Sequence, residues 1–119
     1  MNALAGLSIE ERDGAVLARL TGELDIAEAS SKGDRIVQAV PANVPAVVLD
    51  LTDLQFVDSS GVAMLFSLAR HFDVKRQKLR VVAPPHGLVA RVLEIVQFER
   101  AAPIHADLEE ALAPEPGIE

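Results

Sequence analysis

The spacing of apolar residues changes several times along the chain, and each change marks an element. Val16, Ala18 and Leu20 stand two apart within residues 16–21, which puts them on one face of a strand. Arg19 interrupts that run. Residues 8–12 form a second strand pattern, and Asp13-Gly14 between the two is a strong two-residue hairpin signal. The strand over 8–12 has few apolar positions, which predicts a place at the sheet edge. From Asp25 the interval lengthens. Ile26, Ala29, Gly33, Ile36, Val37 and Val40 recur at helical spacing and predict the inner face of a helix running to about Val40. Asp25 and Glu28 are spaced as a capping pair at its start, and Pro41 ends it. Gly33 weakens this helix by about 1 kcal/mol relative to Ala.

Residues 46–51 are short, aliphatic and β-branched, the pattern of a buried parallel strand. Over 60–71, Val62, Ala63, Met64, Leu65, Phe66, Leu68 and Ala69 surround much of a helix axis, which predicts deep burial. A strand follows over 79–83, stopped by Pro84-Pro85. Residues 87–96 predict a helix with Leu88, Val92 and Val96 on one side and Val89 and Leu93 close by. Residues 101–104 predict a short last strand, and 107–112 a helix capped by Asp107 with Glu110 three residues later. Pro114-Glu115-Pro116-Gly117 cannot continue it, so 114–119 are expected to form a loose tail. After the opening hairpin, strands and helices alternate, which favours parallel pairing through right-handed crossovers.

Length suits one domain, residues 1–113, with one core. Half of the 119 residues are apolar, but only four are aromatic, all Phe. That core is aliphatic, and base-stacking nucleic-acid modules are disfavoured. A net charge of −7 opposes direct binding to nucleic acid or to an anionic membrane. Cysteine is absent, which removes disulfides, thiol nucleophiles and Cys-based zinc sites. Neither a secretory leader nor a run of membrane-spanning length is evident, so a cytoplasmic protein is expected. His71, His86 and His105 lack metal-ligand spacing, and no cofactor is expected. Arg70, Lys75, Arg76, Lys78 and Arg80 form the basic run, where cations complement a helix C-terminus.

The candidate chemistry lies in Asp58-Ser59-Ser60-Gly61, which follows Phe56-Val57 and opens the apolar helix. Two hydroxyls then sit where backbone N–H groups lack partners and the helix dipole is positive. A phosphoryl group on serine is stabilised there. Capping by Asp58, Ser59 or Ser60 is the plainer use of the same residues. Glu23 and Asp25, in Gly22-Glu23-Leu24-Asp25, are second candidates; an N-cap accounts for Asp25 and nothing local accounts for Glu23. No Gly-x-Ser-x-Gly or serine–base arrangement is present, so the chain is not expected to be an enzyme.

Asp58-Ser59-Ser60-Gly61 resembles the phosphorylation motif of STAS-domain anti-sigma factor antagonists. Leu20-Thr21-Gly22-Glu23-Leu24-Asp25 resembles the block after that family's second strand. The likeness spans roughly residues 8 to 112. It implies an α/β STAS fold: a mixed, mostly parallel sheet that starts with a β-hairpin and packs against about four helices. It also implies partner switching, in which the unphosphorylated antagonist binds an anti-sigma serine kinase and releases a sigma factor. Phosphorylation of the hydroxyl residue after Asp, here Ser59, switches it off, and a metal-dependent serine phosphatase restores it. Glu23, Asp25, Asp58, Ser60 and Gly61 would then lie at the partner surface. Two segments depart from the family pattern. Ser30-Ser31-Lys32-Gly33 stands where a longer aliphatic side chain is usual, and Glu94-Ile95-Val96-Gln97-Phe98 lacks the glycine often found near that helix end. One alternative is a STAS adaptor subunit of a lipid transporter or a stress-signalling assembly. Another is a receiver-like domain with Asp50 as phosphoacceptor and Glu10 and Glu11 as its acidic pair, which the Asp13-Gly14 hairpin opposes. A nucleotide hydrolase ranks last, since no glycine-rich phosphate loop is present.

Overall fold

A computed structural model describes residues 2–4 and 6–113; the expected tail at 114–119 lies outside the described residues. Asp13 and Gly14 both take left-handed backbone angles, φ 53° and 80°, as a type I′ turn requires. Strands β2 (Leu7–Arg12) and β3 (Ala15–Leu20) therefore form the expected antiparallel hairpin, with Leu7 opposite Leu20. The edge position expected for β2 is not observed. A three-residue strand, β1 (Asn2–Leu4), pairs outside it with Ala3 opposite Ser8. The sparse apolar content of β2 instead reflects its exposed far end, residues 10–12.

Strands β5 (Ala46–Asp50), β7 (Lys78–Val82) and β8 (Ile104–His105) add to β3 in parallel, giving the order β1-β2-β3-β5-β7-β8. Parallel neighbours need long crossovers. Three helices supply them: α1 (Ala29–Ala39), α2 (Ser59–Val74) and α3 (Leu88–Ile95). The main core lies on one sheet face, where Ala18, Leu20, Val47, Leu49 and Val81 meet Ile36, Leu65, Leu68, Phe72 and Leu93. The opposite face carries Leu17, Val48 and Val82 and is covered by a short helix, α4 (Leu108–Leu112), through Ala111. Asp107 caps α4 as expected, accepting the Glu110 N–H at 2.9 Å. Arg80 reaches from β7 to donate to the Ala111 carbonyl at 3.1 Å. The described residues thus form a mixed, mostly parallel sheet packed by four helices.

Several local expectations are corrected. α1 starts at Ala29, because residues 25–28 first make a tight turn. The Asp25 carbonyl accepts from Glu28 N–H at 3.0 Å and Ala29 N–H at 2.8 Å, and the Asp25 carboxylate accepts from Ala27 N–H at 3.1 Å. Glu28 is the N-cap residue and makes no side-chain cap bond, so the expected capping pair does not form. Ile26 belongs to that turn and is 78% exposed instead of lining the inner face. Lys32 takes an inward place, with its ammonium 3.7 Å from Glu28 and 3.5 Å from the Glu23 carbonyl. Gly33 has a packing reason: a Cβ there would stand 2.8 Å from Met64 Cγ of α2.

α2 runs beyond the expected end, and its burial is one-sided. Met64, Leu65, Leu68 and Phe72 are buried, while Ala63, Ser67 and Arg70 face solvent. α3 buries Val89 and Leu93 and turns Leu88 outward. Just past its end, in the segment without a glycine, Gln97 takes a left-handed conformation at φ 59°. That conformation costs a non-glycine residue about 1–2 kcal/mol. The last strand is displaced to 104–105, since a 3-10 turn at Phe98–Arg100 precedes it and buries Phe98 edge-on against Phe66.

Candidate functional site

Two strands too short to read from the sequence build the platform under the serine motif. β4 (Gly22–Leu24) and β6 (Leu54–Val57) pair in parallel as a separate two-stranded sheet. Glu23 stands opposite Phe56 and Leu24 opposite Val57, with a bulge between Gly22 and Glu23. Leu24, Leu54 and Val57 are buried, whereas Glu23 and Phe56 are exposed. α3 packs against β6, so this ribbon is held from below.

Asp58 joins the ribbon to the helix. Its N–H donates to the Leu24 carbonyl at 3.2 Å. One carboxylate oxygen accepts the Gly61 N–H at 3.0 Å and caps α2; the other accepts the Ile26 N–H at 3.2 Å. Both oxygens therefore serve the chain itself. Gly61 is buried, and a Cβ there would overlap the Leu24 carbonyl and stand 2.6 Å from a Val57 methyl. Its smallness thus answers a close approach between α2 and the ribbon.

Ser59 is the first residue of α2 and is exposed. Because Asp58 performs the capping, the Ser59 hydroxyl is left to solvent at the positive end of a sixteen-residue helix. Ser60 is half-buried and faces a groove between α1 and α2 that Met64, Gly33 and Val37 also line. Asp25 is half-buried within its turn. Glu23 is exposed beside this assembly, so the candidate residues from the two sequence blocks do gather at one end of the molecule.

Two residues in this area escaped the sequence reading. Ile26 and Phe56 are 78% and 43% exposed, and each is tied to the site, Ile26 through Asp58 and Phe56 through its pairing with Glu23. Helical spacing had assigned Ile26 to the interior. The signal against that assignment was the Asp25 side chain, whose use in a turn delays the helix.

The family model of the STAS domain matches residues 7–111. The chain belongs to the STAS domain family. This STAS domain is 28% identical over 114 residues to the anti-sigma-F factor antagonist RsfA of Mycobacterium tuberculosis, covering 94% of this chain and 88% of the relative. Its fold is similar to an anti-sigma factor antagonist of Mycobacterium paratuberculosis, with a TM-score of 0.79, 24% identity and 89% of each chain covered. It is also similar to the phosphorylated form of the Bacillus cell fate determinant SpoIIAA, with a TM-score of 0.67, 22% identity and coverage of 89% and 96%.

The receiver alternative fails on this STAS fold. A receiver needs a helix after its first strand, and here β2 returns directly as β3. Asp50, its supposed acceptor, is buried at the end of β5 on the α4 side. One oxygen lies 3.3 Å from Arg19 Nε, and the other accepts the Thr52 N–H at 3.0 Å. Glu10 lies 4.0 Å from the same Arg19, so these acidic groups neutralise one arginine. Among the described residues no helix is long and apolar enough to cross a membrane, and no group of His, Asp and Glu side chains is arranged to hold a metal ion.

Proposed function

We propose that this chain is an anti-sigma factor antagonist that works by partner switching. The observation that carries the reading is the exposed Ser59 hydroxyl, released from capping by Asp58 and placed beside exposed Glu23, Ile26 and Phe56. The named relatives support it. Unphosphorylated, residues 1–113 act as one binding unit in the cytoplasm, hold an anti-sigma factor serine kinase and so free a sigma factor. Apolar Ile26 and Phe56 supply contact area, and Glu23 supplies a charge that favours a basic partner face. The chain acts as substrate and binding module, with no catalysis of its own.

The kinase then transfers the terminal phosphoryl group of ATP to Ser59. That adds about −1.5 to −2 charge at neutral pH and three strong acceptor oxygens. Beside exposed apolar Ile26 and Phe56, that doubly charged group must lose its water on contact, and the desolvation cost weakens binding. The kinase dissociates, and a metal-dependent serine phosphatase restores the binding form. Labelling with ATP and the cognate kinase should modify Ser59 and not Ser60. Ser59→Ala should hold the kinase persistently, and Ser59→Asp should hold it weakly. Equal labelling of Ser59→Ala and wild type would overturn the assignment. Equal binding by Ser59→Asp and wild type would favour an adaptor role in a transporter or stress assembly.

A further inference from the structure

α3 turns an apolar stripe to solvent. Leu88 is 59% exposed and Ile95 71%, and Val96, which ends the helix, is 37% exposed. Three of the six exposed large apolar side chains among the described residues fall within 88–96. That concentration makes a patch where scattered exposure would need no explanation. Leu88 and Ile95 are seven apart and share one side of the helix, with half-buried Val92 between them. Arg91 and Glu94, both exposed, run beside the stripe.

The charges identify what covers it. The chain carries −7 overall, yet the exposed charges of α3 itself are one cation and one anion, and Glu99 and Arg100 beside them in the adjoining groove again balance, so a strongly charged partner of either sign gains no net attraction. A second copy of the chain does. If two α3 helices meet antiparallel about a two-fold axis between Arg91 and Glu94, each Arg91 stands against Glu94 of the second copy. The same register puts Val92 near the axis and brings Leu88 towards the Val96 end of the second copy. Every contact in such an isologous pair occurs twice.

We propose that α3 is a homodimer surface, closed by Leu88, Val92 and Ile95 and set in register by reciprocal Arg91–Glu94 pairs. The inference is independent of partner switching. α3 is about 12 Å long, so the contact is smaller than the ~800 Å² per partner of a standard stable interface. The dimer is therefore reversible and concentration-dependent.

Sedimentation equilibrium of the whole chain at low salt, up to about 1 mM, tests it. The weight-average mass should rise with concentration from 12.7 kDa towards twice that value. Leu88→Asp and Ile95→Asp should each weaken association at least about ten-fold, as loss of one buried apolar contact predicts. Arg91→Glu and Glu94→Arg should each stay monomeric alone, one presenting paired carboxylates and the other paired cations. An equimolar mixture of these two variants should associate again, because the unlike faces complement each other only across the two-fold. Circular dichroism melts establish that each variant is folded; the charge variants change only exposed positions and keep the test open if an apolar variant does not fold. A wild type monomeric throughout, or a folded mixture that stays monomeric, overturns the proposal.

Discussion

Asp58 combines two tasks that are often separate, capping one helix and holding a distant turn through the Ile26 N–H. The place of Ser59 at the start of α2 was legible in the sequence because a hydroxyl after Asp ahead of an apolar run is a local pattern. Capping by Asp58 was among the readings the motif offered; its second bond, to the Ile26 N–H, and the Leu24 and Val57 neighbours of Gly61 were not, because β4 and β6 leave no period to read. Gly61 and Gln97 make opposite predictions at this scale. Gly61→Ala should destabilise by about 1–3 kcal/mol, since the added methyl meets backbone as well as Val57. Gln97→Gly should stabilise by about 0.5–1 kcal/mol, as relief of the left-handed conformation exceeds the added freedom of the unfolded chain. It gives up the Arg100–Gln97 hydrogen bond, which is exposed and contributes little. Urea unfolding of the two variants reads both signs.

At the scale of elements, legibility followed length and one-sidedness. β3, β5 and β7 are five or six residues long, mostly aliphatic with one or two charged positions each, and were placed to within a residue. β4 and β6 have three and four residues and bury only some of them, too few to establish a two-residue period. The start of α1 was misplaced because Asp25 and Glu28 have the spacing of a capping pair while the backbone uses them in a turn. Helix faces were drawn too wide in α2 and rotated in α3, since abundant apolar residues in a small protein do not all reach the core. α4 is short, but it is the cover that Leu17, Val48 and Val82 receive on their side of the sheet. Ending the chain after Ala106 should expose these side chains. The expected result is a lower urea midpoint and binding of a hydrophobic dye; an unchanged midpoint would show that α4 contributes nothing to the fold.

For the whole molecule, the exposed position of Ser59 would separate the proposed phosphorylation from folding. A phosphoryl group there meets a helix N-terminus that favours anions and displaces no buried side chain. The melting temperatures of phosphorylated and unmodified protein should agree within about 4 °C, equivalent to less than about 1 kcal/mol for a domain near this size. A larger loss would mean that the modification acts by unfolding the site.

The strand order also sets the pace at which the molecule assembles. β2 and β3 meet across a two-residue turn, but Ala15 pairs with Ala46 and Ala46 with Lys78. The central strands therefore join positions about thirty apart, and each such closure is entropically unfavourable before any contact rewards it. Refolding should take milliseconds to seconds, the range of topologies rich in non-local pairs. In stopped-flow dilution from urea, Val48→Ala in the central strand should slow refolding, whereas Leu7→Ala, at the hairpin end farthest from the turn and closing after the central strands join, should mainly hasten unfolding.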